Sequence, residues 1–236
     1  MISDKTIKKL TENNKKISDL LKENEDLLKK DGLDVPKENY SLDKDKKIKI
    51  PAGYIRFNEF FQEKYKLESI VKKKETQKNI AYLFQLSDFF NYVINRFNVW
   101  GSVETMLYKT AIVNFVSIFE ALIFECVNNI CKPRNCQEIK TCPNHFSKNQ
   151  RSISFEALKK LNELGITDFS DDELKRIKYI IDLRNKIHIR LSERNEYTSS
   201  EFSLSLYNEL IGLLQKLSER IYNYGVPLYN QCVKEV

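Results

Sequence analysis

Apolar residues recur at intervals of three and four along most of this chain, which is the spacing of one face of an α-helix. The pattern predicts helices at about 4–30, 56–66, 69–98, 102–131, 154–163, 171–193 and 200–223. Only six Gly and five Pro occur in 236 residues, so few turns are expected. The fold class predicted from this pattern is all-α, an antiparallel helical bundle with short connections and an N-terminal helical extension.

The N-terminal part of the chain differs in pattern from the rest. Residues 4–30 carry a narrow apolar stripe among Lys, Glu and Asn, which suits packing on the body or pairing with another chain. Residues 31–53 hold helix breakers and mixed charge and are typical of a linker, with a short strand at IKIP as one option. The predicted division is an N-terminal helix and charged linker at 1–53 and a helical bundle at 54–236.

Composition and charge narrow the class of protein only a little. Hydrophobic residues make up 42% of the chain, enough for a core, and the net charge of +6 is spread along it. This charge permits a polyanionic partner without requiring one. No continuous apolar run approaches the about 20 residues that span a bilayer, and the N-terminus lacks the apolar core of a signal peptide. A cytoplasmic protein with no membrane partner and reduced cysteines is therefore expected.

Three ionisable residues fall on apolar helix faces. Glu120 lies in the nearly all-round apolar segment 111–127, which suits a helix at the centre of a bundle. Arg184 and His188, four residues apart and so one turn above the other, lie on the apolar arc of the predicted helix 171–193. Since a buried charge is costly without a partner, we expect Glu120 and Arg184 to pair within the bundle. The arrangement serves structure alone, or it serves a function.

The segments around these residues resemble the HEPN superfamily, whose members are all-α domains and in many cases metal-independent ribonucleases of toxin–antitoxin and antiviral systems. The resemblance is carried by LRNKIHIR at residues 183–190 and by FVSIFEALI at residues 115–123, and it covers roughly residues 75–225. Three residues separate the Arg of the motif from its His. The usual family motif has at least one more residue between its Arg and its His.

What the resemblance implies is a catalytic set of Arg184, His188, Asn185 and Glu120. An imidazole titrates near neutral pH and can act as general acid or base when the ribose 2′-OH attacks phosphorus. A guanidinium holds phosphate oxygens with two parallel hydrogen bonds and keeps its charge. No cofactor is expected.

The resemblance also implies partners, with RNA as the substrate. A homodimer is expected, because the chain has just two His and facing motifs would supply a second imidazole. A cognate antitoxin or a defence-system protein is a further candidate partner. Two alternatives remain beside the ribonuclease: a non-catalytic HEPN-like module that holds a partner protein, RNA or nucleotide, and a bundle in which the motif serves structure alone.

Residues 131–145, CKPRNCQEIKTCPNH, gather three thiols and an imidazole between two predicted helices. Such a set can bind zinc tetrahedrally, although its spacing fits known fingers only loosely; the ligands would be Cys131, Cys136, Cys142 and His145. An irregular, reduced loop that contacts phosphate backbone is the favoured interpretation. The candidate nucleic-acid contacts are Lys132, Arg134, Lys140, Lys148 and Arg151, with Lys186 and Arg190 beside the Arg–His motif.

Overall fold

The computed structural model describes residues 2–32, 43–51, 53–131, 146–185 and 201–234, with side chains up to residue 230 apart from that of Lys44. The chain divides into two compact units, Met1–Pro51 and Ala52–Val236. The sequence predicts that residues 54–236 fold without residues 1–53, and this division stays a prediction.

The first unit contains one long helix, α1, from Asp4 to Lys30. Ser3 caps it by accepting a hydrogen bond from the backbone N–H of Thr6 at 3.3 Å, a common role for serine at this position. No residue of α1 is buried. A short 3₁₀ turn follows at Lys44–Lys46. The segment IKIP is irregular rather than a strand, because a strand needs a neighbour to complete its backbone hydrogen bonds.

The second unit is an all-α helical bundle, which confirms the predicted fold class. Its α-helices are α2 (Asn58–Lys64), α3 (Leu67–Ile70), α4 (Lys74–Arg96), α5 (Gly101–Cys131), α6 (Lys148–Ser152), α7 (Ser154–Glu163), α8 (Asp171–Asn185), α9 (Leu204–Arg220) and α10 (Val226–Lys234). A π-helical turn at Ile221–Gly225 joins α9 to α10. The described residues contain no strand.

Helix α5 lies at the centre of the bundle and packs against α4, α7, α8 and α9. Its buried side chains include Ile112, Phe119, Leu122 and Ile123. By length and composition alone, α5 could also cross a membrane, so the expectation that no apolar segment is long enough was wrong. The central helix of a bundle meets the same criterion, and burial against several neighbouring helices is the arrangement such a helix adopts.

The single helix predicted at 69–98 is in fact two helices. α3 ends at Ile70, and α4 begins four residues later. Two side-chain amides take the carbonyl groups left free at the break: Gln77 Nε2 donates to the Val71 carbonyl at 2.7 Å, and Asn129 Nδ2 of α5 donates to the Ile70 carbonyl at 2.8 Å. Because one of these caps comes from a distant helix, the local apolar spacing does not reveal the break.

The helix predicted at 200–223 also differs, since it becomes α9, the π-helical turn and α10. Pro227 lies in the first turn of α10, and because it has no N–H it cannot donate to a carbonyl of the π-helical turn that precedes it. Gly225 ends the π-helical turn against α5, and a Cβ on it would lie only 3.1 Å from Cys126 Sγ. The close approach of this turn to α5 explains the glycine.

Ser170 caps α8 through a reciprocal pair of hydrogen bonds. Its Oγ accepts from the Glu173 N–H at 3.3 Å, and Glu173 Oε2 accepts from the Ser170 N–H at 2.8 Å. Desolvation disfavours the charge of Glu173, but hydrogen bonds from Ser170 and Lys216 outweigh it and lower the pKa of this carboxyl. Ser102 has no such role, because it lies inside α5, which begins at Gly101.

Replacing Ser170 by Ala should lower the free energy of unfolding by about 1 kcal/mol, the usual cost of losing an N-cap hydrogen bond. Ser102→Ala is the control and should leave the stability unchanged or slightly higher, because Ala is the best helix former. Urea denaturation followed by circular dichroism measures both. Equal midpoints for the two variants would show that the cap of α8 contributes nothing.

Candidate functional site

Three helices meet at the carboxylate of Glu120 in α5. Arg184, in the last turn of α8, donates from Nη2 to Glu120 Oε2 and forms an ion pair with it. Ser154, the first residue of α7, donates from Oγ to Glu120 Oε1 at 2.8 Å. Each carboxylate oxygen thus has its own donor, and we call Glu120, Ser154 and Arg184 the Glu120 cluster. The predicted pairing of Glu120 with Arg184 is confirmed.

The Glu120 cluster is partly open to solvent. The side chain of Glu120 is 18% exposed and that of Arg184 is 32% exposed, while Ser154 is buried. An ion pair at this depth is screened less than one at the surface. The Nε atom of Arg184 is buried and has no hydrogen-bond partner among the described residues. Because this atom is buried, it is not accessible to a ligand from solvent, and a buried N–H without an acceptor lowers stability.

The two faces of α8 explain why Arg184 points into the bundle. Ile180, Ile181 and Leu183 are buried, whereas Asp182 is exposed. Arg184 lies one turn beyond Ile180 and Ile181 and shares their face. The apolar arc predicted for this helix is therefore present as far as the structure describes it.

The other motif residues are described only in part. Asn185 is the last described residue of α8 and is exposed. His188 lies outside the described residues, as do Lys186 and Arg190. The helix predicted to reach residue 193 is accordingly observed only as far as residue 185. A role for His188 stays a prediction.

Two of the predicted nucleic-acid contacts lie on the short helix α6, directly before Ser154 in the chain. Lys148 is exposed, and Arg151 is half-buried. Ser147 and Gln150 form a capping box that fixes the start of this helix. The remaining candidates lie outside the described residues, and their contacts stay predictions: Lys132, Arg134 and Lys140.

The cysteine-rich segment is described only at its first residue, Cys131, which ends α5 and is half-buried. Its other candidate zinc ligands, Cys136, Cys142 and His145, lie outside the described residues. Within the described part of the chain, no three metal-ligating side chains come together. Burial raises the pKa of Cys126, earlier in α5, to about 12. Its thiol therefore stays protonated at neutral pH and is a poor ligand.

The sequence analysis missed Ser154. A serine at the start of an apolar segment is typical of a helix cap. The neighbouring sequence does not indicate that its hydroxyl binds a carboxylate 34 residues away. Only the charge of Glu120, with its need for several donors, pointed to further partners of this kind.

A second ion pair, in which Arg56 is paired with the buried carboxylate of Asp88 of α4, was also missed. Asp88 Oδ2 accepts from the backbone N–H of Arg56 at 2.9 Å and from its Nε at 3.1 Å. The guanidinium lies 4.8 Å from the centre of the Phe60 ring. Burial raises the pKa of nearby Tyr65 to about 12 and also raises that of Tyr207. These contacts are internal to the bundle, and we assign the pair a structural role.

Comparisons of the chain with family models, with curated proteins and with solved structures give no match. The fold and site therefore define the protein only as an all-α bundle with a carboxylate–guanidinium pair at the junction of three helices. The functional argument rests on these residues.

Proposed function

We propose that this protein is a metal-independent endoribonuclease of the HEPN type, acting in the cytoplasm as a toxin or antiviral-defence effector. The observation that supports it best is the position of Arg184. Glu120 holds its guanidinium at the end of α8, where the side chain of Arg184 is 32% exposed. A guanidinium held in this way is prepared for a phosphate group.

The chemistry of Arg184 suits a binding role toward phosphate. Glu120 occupies the Nη2 donor, and a guanidinium carries five N–H groups in a fixed plane. Those that remain can bind two phosphate oxygens in parallel, a geometry that lysine cannot reproduce. Because Glu120 fixes the orientation before substrate binds, less conformational freedom is lost on binding. In this proposal Arg184 contacts the substrate, and Glu120 is a positioning residue.

The proton transfers fall to His188, four residues after Arg184 in the sequence. An imidazole removes the proton of the ribose 2′-OH as its oxygen attacks phosphorus, and a second imidazole protonates the departing 5′-oxygen. The products are a 2′,3′-cyclic phosphate and a 5′-hydroxyl. Since each chain supplies one motif His, the proposal includes a homodimer in which two motifs face each other.

Incubation of the purified full chain with RNA in EDTA tests this proposal. We expect cleavage that leaves cyclic-phosphate ends, with a rate about 10²–10⁴-fold lower in His188→Ala. Arg184→Lys should also impair cleavage, because an ammonium lacks the planar pair of donors. Arg176→Lys is the matched control, since Arg176 lies in the same helix and is paired with Glu209 at 2.8 Å. It should cleave like the unmodified chain.

Two results would contradict the ribonuclease. One is an unmodified chain that leaves RNA intact. The other is cleavage that persists at the same rate in both His188→Ala and Arg184→Lys, which would place the activity outside the motif.

The ion pair itself favours a second candidate, a non-catalytic module of the same type that binds RNA or nucleotide. Glu120 neutralises part of the charge of Arg184, which leaves less positive charge to stabilise the transition state of cleavage, while the guanidinium can still hold a phosphate group through hydrogen bonds. If the protein is such a module, Arg184→Lys should lower the affinity for a labelled RNA, measured by fluorescence anisotropy. Neither the unmodified chain nor the variant should cleave that RNA. Measuring binding and cleavage on the same samples separates the two candidates.

A further inference from the structure

Helix α1 exposes an apolar stripe along its whole length. The exposed fractions are 50% for Ile7, 47% for Leu10, 51% for Ile17 and 36% for Leu21, and only Leu28, near the end of the helix, is half-buried. Helices in proteins derive most of their stability from packing an apolar face rather than from intrinsic propensity. A stripe of this length is therefore suited to pack against a partner.

The stripe follows a seven-residue repeat. Positions alternately three and four apart hold Ile7, Leu10, Asn14, Ile17, Leu21, Asn24 and Leu28. On the outer face, lysine recurs every seven residues at Lys8, Lys15, Lys22 and Lys29. A repeat of 3.5 residues keeps one seam facing a partner as two helices coil around each other. The preferred partner is thus another helix with the same repeat.

Two positions in this seam, Asn14 and Asn24, limit the choice of partner. A carboxamide enclosed in an apolar seam needs both a donor and an acceptor, and a second carboxamide supplies both. A second copy of α1 meets this requirement. In an antiparallel pair centred on Asp19, Asn14 of each chain lies opposite Asn24 of the other, and Ile17 lies opposite Leu21. A parallel pair would match each Asn with its own counterpart.

Charge decides between the two orientations. Residues 4–16 hold five Lys and two acidic residues, whereas residues 17–30 hold three Lys and four acidic residues. A parallel pair would set two basic halves side by side, while an antiparallel pair sets each basic half beside an acidic one. Opposed helix dipoles also favour the antiparallel arrangement. We propose that α1 forms an antiparallel two-stranded coiled coil with α1 of a second copy of this chain.

Cross-linking of mixed variants of the full chain tests both the partner and the orientation. Asn14→Cys protein is mixed with Asn24→Cys protein and oxidised, and the disulfides are mapped by peptide mass spectrometry. Because neither chain carries both changes, a 14–24 disulfide joins two chains. We expect that disulfide in the mixture and no 14–14 disulfide, since in an antiparallel pair the two residues 14 are about 15 Å apart along the axis, beyond the reach of a disulfide.

Two controls accompany the mixture. Lys15→Cys mixed with Glu23→Cys has the same axial relation on the outer face and should give no disulfide between those positions. Adding Ile17→Glu to both cysteine variants should abolish the 14–24 disulfide, because a carboxylate is costly in an apolar seam. Adding Lys15→Gln instead, which changes the charge by the same amount on the outer face, should preserve it.

A 14–14 disulfide would overturn the antiparallel orientation. The absence of any disulfide between two copies of α1 would overturn pairing with a second copy. The proposal goes beyond the ribonuclease and concerns a different surface from the Glu120 cluster. Its failure would therefore leave the cleavage assay as it stands, and failure of that assay would not affect the cross-links.

Discussion

Arg56→Ala should lower the free energy of unfolding by about 3–5 kcal/mol, the cost of leaving a buried charge without its partner. The carboxylate of Asp88 is only 7% exposed. In the intact chain it accepts hydrogen bonds from the backbone N–H, Nε and Nη2 of Arg56, and the substitution removes the two from the guanidinium. Urea denaturation at neutral pH measures the loss.

A matched control separates this effect from the loss of an ordinary surface arginine. The side chains of Arg56 and Arg176 are 43% and 42% exposed, but their carboxylate partners differ, since Asp88 is 7% exposed and Glu209 is 34% exposed. Arg176→Ala should therefore cost about 1 kcal/mol or less, as exposed ion pairs do. Equal losses for the two variants would show that burial of the carboxylate does not set the cost.

A substitution of Asp88 tests whether its unpaired charge causes the loss of stability in Arg56→Ala. Asp88→Asn added to Arg56→Ala should recover part of the lost stability, because a neutral carboxamide is cheaper to bury than an unpaired carboxylate. Its oxygen can still accept from the backbone N–H of residue 56. The stability effects of substitutions at two contacting residues are expected to be non-additive in this way. A double variant less stable than Arg56→Ala alone would argue against an unpaired charge as the source of the loss.

Local pattern was sufficient to predict much of the fold. The bounds of α1 and α7 agree with their predicted ranges because each apolar stripe ends at a change of spacing. Helix α8 begins at Asp171, the start predicted from its apolar spacing. The break between α3 and α4 could not be predicted in this way, because Asn129, one of the residues that cap it, comes from α5.

The residues of the two ion pairs also differ in how far the sequence predicted them. Glu120 and Arg184 stood out because each places a charge on an apolar helix face, and two such charges of opposite sign point to each other. Asp88 also lies on an apolar face, because the buried Ala81 and Phe84 precede it on α4 by seven and four residues. Its partner lies 32 positions away, so the local spacing marks the charge but does not reveal what pairs with it.

Glu120→Gln should lower the free energy of unfolding by about 1.5–3 kcal/mol, since hydrogen bonds to a charged group contribute about that much. The carboxylate accepts from Arg184 and from Ser154, and the amide that replaces it keeps one acceptor oxygen in place of two. Ser154→Ala removes one hydrogen bond to the carboxylate and leaves the ion pair in place, so its cost should lie at the lower end of that range, about 1.5 kcal/mol. Thermal or urea unfolding of both variants should give this order. A larger loss for Ser154→Ala would show that the hydroxyl, and not the ion pair, holds the three helices together.

The same two variants separate a positioning role from a structural one. If Glu120 orients Arg184 toward phosphate, Glu120→Gln should lower the rate of RNA cleavage per folded molecule by more than Ser154→Ala does, since only the first change releases the guanidinium. The effect should fall on kcat, because an arginine that is no longer held in place can still bind phosphate but must be oriented in each turnover. Single-turnover cleavage at saturating protein, in conditions where both variants are folded, measures this difference. Equal cleavage by both variants and the unmodified chain would leave Glu120 with a role in stability alone.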